Sequence, residues 1–208
     1  MSANLLETIR RIVRQELAQV RTAELGVVES ALPHAGSSDH DNYACDVRLR
    51  NSGLLLKAVP VLTQRIGAVA IPSPGELVIV QFLDGDINAP VISGRAYTDQ
   101  KRPPVNDVDQ AILHLPLDAA DSDAVHLELS SGDARLLSIR LGDGVTLTLQ
   151  DDDPVLKIAV DGQEDVLKLD RDGALTVKTS GAVKLKGEDV TVEASGTLTL
   201  KGSTVNIN

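Results

Sequence analysis

The sequence predicts an all-β chain: an N-terminal helix, a small barrel, and a C-terminal tapering β-helix that three intertwined copies build together. Three observations carry this expectation. Short alternating segments fill residues 24–98. From Val125 onward, apolar residues two apart recur with glycines between them. The 208 residues include no Trp, one Phe and two Tyr, whereas a compact core normally draws much of its buried area from aromatic rings. A chain that relies on Val, Leu and Ile implies a narrow interior.

Bulk composition sets the outer bounds. At 42% hydrophobic and 24% charged the chain is globular in type. A single Cys45 excludes an intrachain disulfide framework and a thiolate zinc cluster. Glu7 and the arginines of the first 21 residues interrupt any signal-peptide pattern, and no apolar run approaches the ~20 residues needed to span a bilayer. The expectation is a product made in the cytoplasm without a signal peptide. The net charge is −10, and all of it sits between Asp99 and Asp165, where 15 acidic residues face 5 basic ones. Nucleic acid is excluded as a partner, because phosphate contact needs a basic footprint.

Four segments follow along the chain: 1–23, 24–98, 99–124 and 125–208. Residues 4–21, "NLLETIRRIVRQELAQVR", read as a helix with Asn4 as N-cap and Glu7 at the capping-box position. Leu5, Ile9, Ile12, Val13, Leu17 and Val20 form one apolar stripe, which suits packing on its own domain or on symmetry mates. In "YACDVRLR", Tyr43, Cys45, Val47 and Leu49 share one face of a strand, with Asp46, Arg48 and Arg50 on the other. "LLLKAVPVL" and "ELVIVQFL" continue the alternation, and about five short strands in this space suit a closed barrel such as an OB-fold. The aromatic platform and basic groove of nucleic-acid-binding barrels are missing, so the barrel reads as an interaction scaffold. Residues 99–124 read as an acidic connector, with Pro103, Pro104 and Pro116 interrupting regular structure.

The last segment is periodic. Its apolar pairs are Leu127/Leu129, Leu137/Ile139 (with Leu141), Val145/Leu147 (with Leu149), Leu156/Ile158 (with Val160), Leu167/Leu169, Leu175/Val177, Val183/Leu185, Val190/Val192, Leu198/Leu200 and Val205/Ile207. Gly162, Gly173, Gly181, Gly187, Gly196 and Gly202 mark corners. The repeat shortens from nine residues to eight or seven, so the cross-section should taper. Ten strands wound as a single-chain solenoid make only about three coils, close to the minimum for a stacked repeat. Three chains wound together instead stack ten courses at ~4.8 Å into a rod of roughly 50 Å. The expected axial core is Leu167, Leu169, Leu175, Val177, Val183, Leu185, Val190, Val192, Leu198 and Leu200, with every ladder hydrogen bond made between chains.

The stretch "PSPGELVIVQFLDGDINAPVISGRAY", residues 72–97, followed by "RPPV", closely resembles the OB-fold of the bacteriophage baseplate assembly protein V family, the central spikes of contractile tails. The same block is similar in VgrG spikes of type VI secretion and in spikes of extracellular contractile injection systems. With the helix before it and the tapering repeat after it, the resemblance covers essentially the whole chain. It implies a homotrimeric, membrane-puncturing spike: a tail tube hub protein at the OB-fold end, the target cell envelope ahead of the needle, and assembly into the baseplate of a phage, tailocin or injection particle. Relatives with a lysozyme domain carry it between barrel and needle, where this chain has only 26 residues, so no enzymatic activity is expected. Relatives with their own sharp apex carry a His-x-His near the C-terminus that ligates iron. No His follows His126 here, so neither a metal nor another cofactor is expected. That departure implies a separate PAAR-type tip protein docked on a platform of Ser203, Thr204, Val205, Asn206, Ile207 and Asn208.

Other candidate sites read as ordinary structure. His34, Asp39, His40 and Asp41 fall in a Gly/Ser loop without metal-ligand spacing, and Asp151–Asp153 lack the ligand ladder of a calcium loop. Cys45 reads as a buried thiol, and His114 and His126 as isolated connector residues. The competing class is a trimeric β-helical tailspike or receptor-binding protein recognising a cell-surface glycan, which needs wide faces with aromatic or carboxylate clefts. A monomeric OB adaptor with a β-sandwich is a third.

Overall fold

A computed structural model describes residues 2–17, 21–160 and 166–206. The chain divides into two compact units, 1–105 and 106–208. It is mostly β, with one short N-terminal helix and two antiparallel sheets.

In the first unit the helix α1 runs Ser2–Leu17, so it begins two residues before the expected N-cap at Asn4. Of its apolar stripe, Leu5 is 65% exposed, and Ile9, Ile12 and Val13 are about half exposed, as is Leu6 beside them. The expected packing of this stripe on its own domain is not seen among the described residues. Val20 and the side chain of Leu17, assigned to the same stripe, lie outside what is described.

Five strands follow: β1 Glu24–Leu32, β2 Ala44–Leu49, β3 Leu55–Pro60, β4 Leu77–Phe82 and β5 Pro90–Ala96. They pair in the order β3-β2-β1-β4-β5. A parallel bridge from Val61 to Ile92, with the Leu62 N–H donating to the Ile92 carbonyl at 2.9 Å, joins the end of β3 to β5 and closes the ring. The alternation in β2 buries Cys45, Val47 and Leu49 as expected, against Val28, Val59, Val78, Val80, Phe82 and Ile92. Tyr43 departs from that face. It precedes the strand with φ of 53°, and its hydroxyl accepts the Ala70 N–H at 2.8 Å, tying down the loop after β3.

So small a ring needs strong coiling, and bulges provide it. On one side of Asp46 the register jumps from Val28 to Ser30; on the other, Lys57 and Ala58 stand against Asp46 alone. Its carboxylate joins both irregularities, accepting the Ala58 N–H at 2.9 Å, the Ser30 hydroxyl at 3.0 Å and the Lys57 ammonium at 2.6 Å. Asp46 therefore belongs to the structure rather than to the solvent-facing side to which alternation assigns it. The Lys57 ammonium, with the Ala58 N–H, holds its carboxyl below the usual carboxylate range. A carboxyl with a depressed folded pKa contributes stability above its unfolded value, ~3.9, and that contribution disappears as pH falls through the folded value. Asp46→Ala should cost ~1–2 kcal/mol at pH 7 and narrow its gap to wild type below about pH 4, read from denaturant melts across pH.

Close packing also explains Gly26. A Cβ there would collide with Val47 Cγ1, and Val47 is fully buried and cannot retreat. Gly26→Ala should destabilise the first unit by ~1–3 kcal/mol, seen as a lower melting temperature.

The second unit is a seven-stranded meander in sequential order: β6 Gln110–Leu115, β7 Val125–Ser130, β8 Leu136–Leu141, β9 Val145–Gln150, β10 Leu156–Val160, β11 Leu167–Leu169 and β12 Leu175–Val177. Two expectations change. The stretch read as an irregular connector supplies β6, because "QAILHL" alternates between its proline-bearing flanks and pairs in full register with β7. The ladder bonds from β6 to β12 run between strands of one chain, not between chains. Hairpin connections as short as residues 142–144 return each strand beside its predecessor. No residue from 178 to 206 lies in a strand.

Candidate assembly interface

Antiparallel register converts the sequence periodicity into columns. Leu113, Leu127, Ile139, Leu147, Ile158, Leu167 and Val177 stand opposite one another across successive strands. Ala111, Leu129, Leu137, Leu149, Leu156, Leu169 and Leu175 form a second column beside the first. A third, Leu115, Val125, Leu141, Val145 and Val160, ends at β10. Since side chains alternate across a strand, all three columns lie on one face. The face narrows from three apolar residues per strand to two.

Among the described residues of its own unit, nothing covers this face. Leu113, Leu115, Leu129, Leu141 and Leu149 are each about half exposed, while the barrel interior is almost fully buried. A contiguous apolar surface of this kind makes the face a candidate association site. Of the expected axial core, Leu167 and Leu169 are half-buried in β11, and Leu175 and Val177 are exposed in β12. Val183, Leu185, Val190, Val192, Leu198 and Leu200 are exposed and belong to no strand. Of the expected platform, Ser203, Thr204, Val205 and Asn206 are exposed. Ile207, Asn208 and the expected corner Gly162 lie outside the described residues.

The opposite face is polar and partly covered by the loop 116–124. His114 and His126 are not isolated: they face each other across β6 and β7, with Nδ1 atoms 3.2 Å apart. His114 Nε2 donates to the Ala119 carbonyl at 3.1 Å, which leaves its Nδ1 to meet His126 Nδ1. His126 is buried, with its Nε2 3.9 Å from Glu128 Oε2. Arg140, next in the column, reaches Asp121 of the loop at 3.3 Å. Sequence spacing hides this cluster, because the two histidines become neighbours only once β6 exists.

Acidic hairpin loops are occupied locally. Asp151 accepts from the Arg135 side chain at 2.5 Å and from its N–H at 2.7 Å, and the guanidinium holds that carboxyl below its ordinary range. Asp153 accepts the Arg171 N–H at 3.0 Å. The acids at 151 and 153 therefore tie one hairpin loop to another. In the first unit, Asp39 accepts the Gly36 N–H at 2.6 Å and pairs with His34 at 2.9 Å, which lowers its carboxyl in that order of effect. Among the described residues no three His, Cys, Asp or Glu side chains converge as a metal would require. Cys45 is fully buried, and burial pushes its thiol up, away from the reactive thiolate. No described helix is long and apolar enough to cross a membrane.

The described structure is a ring of five strands in the first unit and, in the second, a ribbon whose apolar face is exposed. No family model matches the chain. Over 47 residues it is 47% identical to the type VI secretion system spike proteins VgrG2a and VgrG2b of Pseudomonas aeruginosa. The match takes in 23% of this chain and only 6% and 5% of those proteins, so the chain spans about a twentieth of their length. Over that stretch the chain is related to a secretion-system spike.

The loop 116–124 is seated on the sheet through Gly142. That residue has φ of 56° and donates its N–H to the Ala124 carbonyl at 2.8 Å, and a Cβ on it would collide with the Ser122 carbonyl oxygen. Gly142→Ala should lift residues 120–124 off the sheet and speed amide exchange at position 142 several-fold, measured by hydrogen exchange.

Proposed function

We propose that the protein is the trimeric central spike of a contractile tail or contractile injection machine. The observation that carries this is the apolar face of the second sheet. It is uncovered in one chain, it narrows from three columns to two, and the same alternation continues through residues 183–205. Three copies laying these faces together about an axis would bury them and produce a tapering prism. The relation to VgrG spike proteins over 47 residues supports the same reading.

In this reading the five-stranded ring is an OB-fold, whose order closes through the parallel contact of Val61 with Ile92. It meets a tail tube hub protein, while the C-terminal residues meet a PAAR-type tip protein, and the spike is driven into a target cell envelope. The work in this reading is mechanical, and His114, His126, Asp46, Asp151 and Asp153 hold loops and strands together. Half-exposed leucines that become buried contribute ~1 kcal/mol each, repeated in three copies, which suits a part that must survive force.

Light scattering on the full chain should give three times the 22.0 kDa chain mass; a monomer at all concentrations would overturn the proposal. Leu185→Asp sharpens the test. Leu185 is 78% exposed in one chain, so in a monomer the change should stay within ~0.5 kcal/mol. In a trimer it brings three carboxylates onto a dry axis, at a cost of several kcal/mol. Loss of the trimer supports the proposal, and an unchanged thermal melt opposes it.

A further inference from the structure

We propose that His114 and His126 form an acid-sensitive latch. It holds the loop 116–124 on the polar face of the second sheet at neutral pH and releases it when both imidazoles are charged. The proposal does not depend on the spike reading, since every group in it belongs to one unit of one chain.

Strand register creates the latch. His114 and His126 stand opposite each other in β6 and β7, and their rings meet edge to face with centroids 5.5 Å apart. His114 Nε2 faces the Ala119 carbonyl, which can only accept, so that nitrogen carries a proton. The two Nδ1 atoms are 3.2 Å apart, a separation that holds one proton between two nitrogens. A second proton there would set N–H against N–H and break the contact. The closed arrangement therefore accommodates one imidazolium and not two.

The surroundings act in the same direction. Glu128 Oε2 lies 3.9 Å from His126 Nε2 and favours a first positive charge, while its other oxygen accepts from Gln110 at 3.0 Å. Arg140 is the next residue in the column and opposes a second charge. The loop contributes Asp118, Asp121 and Asp123, all exposed, and Asp121 is engaged with Arg140 at 3.3 Å. With the loop down, His126 is 9% exposed and Ala124 only 2%, so little water reaches the pair to screen two like charges. Lifting the loop lets the rings part and both take protons, which histidine in water does near pH ~6.5. The open form then binds one proton more than the closed form. By linkage its population relative to the closed form rises about tenfold for each pH unit below that value. The polar side of β6–β8 is thus a surface whose cover depends on pH.

Hydrogen exchange of the full chain between about pH 7.5 and about pH 5, with each rate divided by that amide's intrinsic rate, tests the latch. The informative amides are Ala119, Asp123 and Gly142, which donate to the Pro116, Ala120 and Ala124 carbonyls. Their protection should be constant above pH ~6.5 and fall by about tenfold per pH unit below it, while the ladder amides of β8 and β9 keep theirs. In His126→Gln the side-chain amide can still bond His114 but takes no charge, so the loop should stay protected across the range. Should that variant not fold, nitrogen NMR of the wild-type imidazoles decides instead. Both rings observed as cations while the three amides remain protected would overturn the latch. So would protection that does not change with pH, an equal loss in β8 and β9, or an unchanged pH slope in His126→Gln.

Discussion

A ribbon of β-strands has two faces, and this chain has cover for only one. The loop 116–124, the His114–His126 pair and the Arg140–Asp121 bridge close over part of the polar side of the second sheet. Among the described residues of the same unit, nothing closes over Leu113, Leu129, Leu141 and Leu149. The face is built from Val, Leu, Ile and Ala without aromatic rings. The exposure of that face is the feature on which the proposed assembly rests.

The first unit meets the opposite requirement and covers itself. Its ten-residue core is complete within one chain, and the coiling needed to close so small a ring comes from bulges joined by the carboxylate of Asp46. The first unit thus buries its core by itself, while the second leaves one apolar face exposed. Charge follows the same division. The acidic block from Asp99 to Asp165 places aspartates in the hairpin loops, where Asp151 and Asp153 bond Arg135 and the Arg171 backbone while keeping the outer edge solvated.

Much of this architecture is legible in the order of residues alone. Alternation in "YACDVRLR" identifies Cys45, Val47 and Leu49 as core, and spacing in the last segment identifies the residues of the columns. Three features are not legible. β6 is hidden because prolines at its flanks mask a six-residue alternation. His114 and His126 read as isolated because twelve residues separate them in sequence. Asp46 reads as an outward residue because alternation assumes unbroken register, and bulges on both sides break it.

The sequence by itself determined which residues are apolar partners and which positions turn, since side-chain period and turn chemistry are local properties carried by neighbouring residues. Only the tertiary structure decided with whom each strand pairs. Pairing depends on strand length, hairpin geometry and what lies on either side, and these are properties of two segments at once. Leu127 and Leu185 sit in the same local pattern. Leu127 lies in a six-residue strand paired within its own chain, whereas Leu185 lies outside any strand and stands exposed.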